Sequence, residues 1–393
     1  MRRKALIYMH ECQLKPVGGA AGYLFNLKTQ LDIEGIDSVE FIQGESKESK
    51  VKKHLPKFIR EILFIIKRYL DYTMLMSKIE KKAKVDLNEY DIIHFHNSFS
   101  MYKVKDSLKE YKGTVLLTSH SPKPMFLEIF EDVITPIERK LFKKKYMKLS
   151  QVDKYAFNRA DNIVFPCVEA EEPYYRNWDE YNNIKESNKD KYKYILTGIN
   201  SAYSKMNREE IREKYNIPKE AFVISYVGRH NKTKGYDVLK TIGKRLLEDE
   251  NSYFLIGGKE EPITGIVNNR WIEVGWTNDP YSLIGASDVF ILPNKETYFD
   301  IVMLEVLSLG KIIIASRTGG NKYFDTDDEN GVLLYNSTEE ALNLIKYIKK
   351  MDIGEKLRLE NKNKELFNNE FTSEIFARNY IKLLDEIRNE KRR

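Results

Sequence analysis

Arg229 and Lys234 stand close together in "SYVGRHNKTKGYD", which begins as an apolar strand and reaches a glycine before a helical pattern. Two cations at a strand end, followed by the free N–H groups of a helix start, can hold a diphosphate. The side chains supply charge and the backbone supplies donors. A basic turn that only meets water has the same composition. A second group lies in "KETYFDIVMLEVLSLG", from Lys295 to Gly310. Glu296 and Thr297 fall in a loop after the apolar run "DVFILPN", and Glu305 falls in the helix that starts near Asp300. Carboxylates accept hydrogen bonds from the hydroxyls of a sugar, and N–H groups at a helix start can hold further oxygens. The plainer alternative is an acidic residue that favours the helix dipole, with Glu305 facing water. Glu305 is flanked by Leu304 and Val306 in a largely apolar helix, which argues that it has a partner.

Two further positions lie in the first half. Gly18 and Gly19 sit between the strand "KALIYMHE" and the helix "YLFNLKTQLDIEG", where backbone can approach an anion closely. Their spacing is not G-x-G-x-x-G, and a tight turn explains them equally. His120 closes the strand "TVLLTSH". His94 and His96 alternate along "IIHFHN" and share one strand face. No third metal ligand is evident beside them, so structural or substrate-lining roles are expected. His230, next to Arg229, reads as exposed.

These residues need elements to hold them. A chain of 393 residues with 42% hydrophobic and 12% aromatic residues is long and apolar enough for two full cores. Its two cysteines, Cys12 and Cys167, are no disulfide framework and point to a reducing compartment. "MRRKALIYMH" has too short an apolar run for a signal peptide and reads as a first strand. No run approaches the roughly 18 apolar residues of a membrane span. A cytoplasmic location is expected.

Apolar strands alternate with helical patterns throughout. "SVEFIQ", "YDIIHFHN", "TVLLTSH" and "ADNIVFPC" follow the first strand; "FVISYVG", "SYFLIGG", "WIEVGW", "DVFILPN", "KIIIAS" and "GVLLY" make a second series. This predicts an α/β protein with parallel sheets. Two series that meet near 198–205 predict two Rossmann-like domains, 1–198 and 199–372. A last helix, within 373–393, could pack back on the first. Ligands of such sheets bind at the carboxyl ends of the strands, where the residues above lie.

Together these features resemble the GT-B nucleotide-sugar glycosyltransferases, specifically family 4, a retaining group with many polysaccharide-assembly enzymes. The resemblance covers nearly the whole chain and is strongest from "SYVGRHNKTKGYD" to "TGGNKYF". It implies two domains facing across a cleft, the first for the acceptor and the second for the donor. It implies that Arg229 and Lys234 bind and stabilise the donor diphosphate, and that Glu305, the last residue of the family's E-x7-E motif, holds the ribose. The first motif glutamate is Thr297 here, and the family's G-F-G reads Tyr298-Phe299-Asp300. Either Glu296 reaches in from the neighbouring place, or Thr297 and the 298–300 backbone hold the sugar. Gly18 and Gly19 match the family's first loop, near the acceptor and the donor phosphate, and His120 matches a histidine facing the reacting centre. The implied donor is a nucleoside-diphosphate sugar, with UDP preferred because UDP-sugars are common in the family; no residue excludes GDP. No cofactor and no obligatory metal is implied.

Charge is uneven. Residues 1–198 carry 35 Lys/Arg against 28 Asp/Glu, and the rest of the chain carries 30 against 31. Residues 50–84 hold eleven Lys/Arg against three Asp/Glu, a local balance larger than the +6 of the whole protein. Within them "KFIREILFIIKRYLDYTM" keeps one apolar helix face, Phe58, Ile62, Ile66 and Leu70 among others. The face either packs on a core, with its basic side in water, or lies on an anionic membrane. A second basic run, "ERKLFKKKYMKLS", points the same way as the membrane reading. Lipid-diphosphate-linked sugars are acceptors of many family members, so a glycan or lipid-linked acceptor at the inner face of a membrane is expected, and nucleic acid is not. Three rivals stay open. A GT-B epimerase would need acid/base carboxylates beside the sugar. A dinucleotide-dependent dehydrogenase would need the G-x-G-x-x-G that "GGAAGY" lacks. A non-catalytic partner subunit would tolerate Thr297.

Overall fold

The computed structural model of the chain describes residues 4–9, 14–16, 19–43, 56–77, 83, 85–248, 251–326 and 330–391. It divides into two compact units. The first comprises Met1–Phe165, Tyr174–Tyr194 and Leu384–Arg393; the second comprises Pro166–Pro173 and Ile195–Leu383.

The first unit is built on strands β1 (Ala5–Met9), β2 (Val39–Gln43), β3 (Ile92–Phe95), β4 (Thr114–Leu117), β5 (Asn162–Phe165) and β6 (Tyr192–Tyr194). They form one sheet in the order β2-β1-β3-β4-β5-β6, with parallel pairing throughout. Every residue of β1, β3, β4 and β5 is buried, as parallel strands covered on both faces require. β6 was not among the expected strands, because three residues are too few to show a period. The end of the Ser373–Glu390 helix lies in this unit, where the Arg388 guanidinium meets Asp91 at 2.9 Å.

The second unit uses β7 (Phe222–Val227), β8 (Ser252–Gly257), β9 (Trp271–Gly275), β10 (Val289–Leu292), β11 (Ile313–Ser316) and β12 (Val332–Tyr335). Its order, β12-β11-β10-β7-β8-β9, is that of a dinucleotide-type Rossmann sheet. Alternate residues of β7 face opposite sides. Phe222, Ile224 and Tyr226 join Leu239, Ile242 and Leu246 of the Tyr236–Leu246 helix in one core, while Val223 joins Leu255 and Leu283 in another. Each fully buried side chain of this size stabilises the fold by roughly 1.5–3 kcal/mol before entropy is counted.

In both sheets the strand order reverses beside the first strand of the series. Loops leaving the two strands that flank the reversal run to opposite sides, which opens a crevice at their carboxyl ends. In the first unit these are β1 and β3, and in the second β7 and β10. At the second reversal the loops touch backbone to backbone. Gly235, with φ 65° and ψ 25°, caps the Tyr236–Leu246 helix, and a Cβ there would lie 1.6 Å from the Pro293 carbonyl oxygen. The Lys295 N–H donates to the Thr233 carbonyl at 3.0 Å. Both the positive φ and the contact demand glycine. Gly235→Ala is therefore expected to lower stability by roughly 2–4 kcal/mol, from left-handed strain and overpacking together, as read by denaturant unfolding.

Candidate functional site

In the second unit the candidate residues gather on the loops after β7 and β10. Tyr226 donates its hydroxyl to the Arg229 carbonyl at 2.8 Å, and the Asn231 side chain accepts from the Lys234 N–H at 2.8 Å. These bonds shape the turn. Arg229 is exposed, and its guanidinium makes no ion pair among the described residues. Lys234 behaves differently. Its Nζ reaches both oxygens of Asp300, at 2.6 and 2.8 Å, and Asn294 Nδ2 donates to the same carboxylate. Asp300 is the N-cap residue of the Ile301–Ser308 helix, yet its side chain makes no capping bond. Its charge is committed to Lys234 instead. The two cations thus differ: one is open to solvent and the other is balanced by a carboxylate.

Thr297 is buried, and its Oγ1 has no hydrogen-bond partner among the described residues. Glu296 beside it is half-buried, and Tyr298 and Phe299 are buried. The double glycine holds this loop in place. A Cβ on Gly319 would lie 2.0 Å from the Thr297 carbonyl oxygen, and one on Gly320 would lie 2.1 Å from that of Tyr298. The Gly319 N–H donates to Glu172 Oε2 at 2.7 Å, and Lys322 Nζ lies 3.0 Å from the same oxygen. Glu305 accepts from the hydroxyl of Tyr281, in the Pro280–Gly285 helix, at 3.0 Å. Burial pushes its carboxyl above the usual range, and the tyrosine bond offsets part of that shift. The expected partner exists, and it is neutral.

In the first unit, Gly19 caps the Ala20–Ile33 helix at φ 75°, with open space where a Cβ would stand. Gly18 and Cys12 lie outside the described residues. His94 in β3, His96 just after it and His120 after β4 form a cluster of rings. Ring centroids lie 4.2 Å apart for His94–His96 and 5.0 Å apart for His96–His120. His96 Nδ1 and His120 Nε2 are 2.7 Å apart, and Tyr23 meets His120 edge-on at 4.6 Å. Burial drives His94 and His120 down to about 3 and holds His96 well below the ordinary imidazole value, so all three rings are neutral at physiological pH. Among the described residues no group of three or more His, Cys, Asp or Glu is placed to hold a metal ion.

His230 departs from expectation. It is buried, not exposed, and stacks on Tyr236 with centroids 3.9 Å apart. Its neighbour Arg229 takes the solvent side. The Lys57–Leu75 helix departs from the core-facing alternative: Phe58 is 69% exposed, Ile66 49% and Leu70 57%. Residues 50–55, 78–82 and 84 of the basic segment lie outside the described residues. Sequence reasoning missed Tyr281, Asn294 and Glu172, and took Asp300 for a backbone position. Lys234 and Asp300 are separated by 66 residues, and no local pattern pairs them.

The fold and the site can be set beside known proteins. Residues 17–178 match the family described as Glycosyltransferase Family 4, and residues 207–365 match that described as Glycosyl transferases group 1. The lipopolysaccharide core biosynthesis glycosyltransferase LpsE of Rhizobium meliloti (strain 1021) is 27% identical over 183 residues, 44% of this chain and 52% of that protein. The UDP-Gal:alpha-D-GlcNAc-diphosphoundecaprenol alpha-1,3-galactosyltransferase of Escherichia coli is 28% identical over 142 residues, 33% of this chain and 37% of that protein. The chain thus spans about half or less of these curated relatives. The crystal structure of Anabaena Alr3699/HepE in complex with UDP-glucose has the same fold, with a TM-score of 0.62, 14% identity and coverage of 98% and 99% of the two chains. The chain belongs to the GT-B glycosyltransferases of the family 4 type.

The Glu305 carboxyl yields a signed test. Its folded value lies above the unfolded one, so the folded state holds its proton more tightly. Its contribution to stability is fully present below the unfolded value and is lost as pH rises through the folded value. Glu305→Gln should therefore gain stability relative to the native protein as pH rises from about 4 to 7, measured by paired urea unfolding curves.

Proposed function

We propose that this chain transfers a sugar from a nucleoside-diphosphate sugar, with UDP the preferred nucleotide, to a glycan or lipid-diphosphate-linked acceptor in the synthesis of a cell-surface polysaccharide such as a capsule, with retention of anomeric configuration. The observation that carries this reading is the position of Arg229 and Lys234 at the strand reversal of the second sheet, with Lys234 bound to the first-turn cap of the Ile301–Ser308 helix. The donor named for the Escherichia coli relative, UDP-Gal, and the UDP-glucose bound to the Anabaena protein favour UDP.

Arg229 and Lys234 hold the diphosphate. As the bond from the sugar to the diphosphate breaks, negative charge grows on the departing oxygens. Cations already in place stabilise that state more than the ground state, and the difference accelerates reaction. Glu305 accepts from ribose hydroxyls. Glu296, Thr297, Tyr298, Phe299 and Asp300 surround the sugar, with the buried Thr297 hydroxyl and the loop backbone standing in for a motif glutamate. In the first unit, Gly19 and His120 are read as substrate-facing residues. Positioning and electrostatics carry the chemistry, with no protein nucleophile.

The first unit also offers a surface for a membrane. Phe58, Ile62, Ile66 and Leu70 follow at four-residue spacing along the Lys57–Leu75 helix, and Ile137 and Leu141 are exposed on the Pro136–Met147 helix. Tyr69 and Phe142 join the two helices with centroids 4.8 Å apart, and Arg68 Nε lies 3.1 Å from the buried Glu138. Arg60, Lys67, Lys140, Lys143 and Lys144 are exposed on the same two helices. Apolar residues amid cations suit an anionic lipid surface, where each basic residue contributes ~1 kcal/mol. Among the described residues no helix is long and apolar enough to cross a membrane; the contact proposed is peripheral, at the cytoplasmic face.

Calorimetric titration of UDP-sugars tests the donor site. Arg229→Ala is expected to weaken binding about 10–100-fold, the worth of a charged hydrogen bond. Lys234→Ala should do more harm, because it leaves Asp300 facing the diphosphate unbalanced, and adding Asp300→Asn should recover part of the loss. No binding of any nucleotide sugar by the native protein would remove the donor reading. Flotation with phosphatidylglycerol vesicles tests the membrane face. Native protein should float with them and stay behind with neutral phosphatidylcholine, and Ile62→Ser with Ile66→Ser should abolish flotation without changing the melting temperature.

A further inference from the structure

The close contact between His96 and His120 determines more than an orientation. A single hydrogen lies between His96 Nδ1 and His120 Nε2, 2.7 Å apart, and both rings are neutral. One ring therefore donates and the other accepts. The other nitrogen of His96, Nε2, is buried and has no hydrogen-bond partner among the described residues. If His96 accepted at Nδ1, its own proton would sit on Nε2, a buried N–H with nothing to bond. If His96 donates from Nδ1, Nε2 carries only a lone pair. A buried N–H left without an acceptor is the rarer and costlier of the two defects.

We propose that His96 donates its Nδ1–H to His120 Nε2 and so holds the His120 proton on Nδ1. His96 is then a positioning residue that acts through His120. Its surroundings favour one geometry. His94 packs against the His96 ring and is itself held at 2.9 Å from Thr118 Oγ1, and Tyr23 lies beside it with centroids 5.7 Å from His96. His120 has φ 58°, a left-handed backbone that is strained for a residue with a side chain. The two rings are near-parallel and meet edge to edge, as an N–H···N bond in the ring planes requires. The consequence is chemical. His120 Nε2 is already engaged, and its Nδ1 edge is a hydrogen-bond donor. Towards a substrate such a ring steadies an oxygen and does not remove a proton. This last step rests on the reading of His120 as substrate-facing; the position of the proton does not.

The test is a long-range proton–nitrogen correlation spectrum of the full chain labelled with nitrogen-15 histidine, with His120 assigned through His120→Gln. The native protein should show His120 protonated at Nδ1 and bare at Nε2. His96→Asn, whose amide donates from the place of Nδ1, should keep that pattern. His96→Leu should move the proton to Nε2, with thermal unfolding run alongside to show that the variant is folded. Protonation at Nε2 in the native protein, or an unchanged Nδ1–H in folded His96→Leu, overturns the proposal. In a transfer assay His96→Leu should lower kcat about tenfold or more with little change in KM, and His96→Asn should restore it. If the tautomer behaves as stated but His120→Gln transfers sugar normally, the proposal stands and the substrate-facing reading of His120 falls.

Discussion

Two backbones touch where the second sheet reverses, and the candidate donor site is arranged around that contact. Gly235 lies so close to Pro293 that a methyl group would overlap the carbonyl. The loop after β7 is thereby pressed on the loop after β10. The first carries Arg229 and Lys234, and the second carries the segment from Glu296 to Asp300. Lys234 reaches Asp300 because these loops lie closer together than one added carbon atom would allow. The reversal of strand order supplies the crevice, and the missing side chain supplies the reach.

The same loop is gripped from its other side. Gly319 and Gly320 lie against the carbonyls of Thr297 and Tyr298 with no room for a Cβ. Three glycines thus confine one short segment whose side chains, by contrast, are poorly satisfied. Thr297 Oγ1 and Asn294 Oδ1 are buried without partners among the described residues, and burial raises the Glu305 carboxyl above its usual range. A fold selected for stability alone has no use for such groups. Their concentration beside an open cation is what a ligand site needs, because the ligand supplies the absent partners.

The first unit uses different chemistry on a similar sheet. Its crevice side carries clustered neutral rings, which offer directed hydrogen bonds without charge. Its outer helices carry the opposite pattern, with apolar side chains left in water and cations around them. The amphipathic period of residues 57–74 was plain in the sequence, but a period says only that one face differs from the other. Which face meets water depends on what the rest of the chain covers. Here the neighbouring helix brings its own exposed Ile137 and Leu141 and covers little of it.

Local order was legible from the residues alone. Buried parallel strands read as apolar runs, helices read as a period near 3.6, and eleven of the twelve strands announce themselves this way; β6 is too short to do so. The chemistry at the strand ends was legible too, because cations, carboxylates and glycines there follow directly from the chain order. Only the tertiary structure decided partners. It gave Lys234 to Asp300, Glu305 to Tyr281 and His96 to His120, and it buried His230 while exposing Arg229 beside it. Each of these depends on distances between residues far apart in the chain. Such distances are set by how sheets and loops pack, and local propensity carries no record of them.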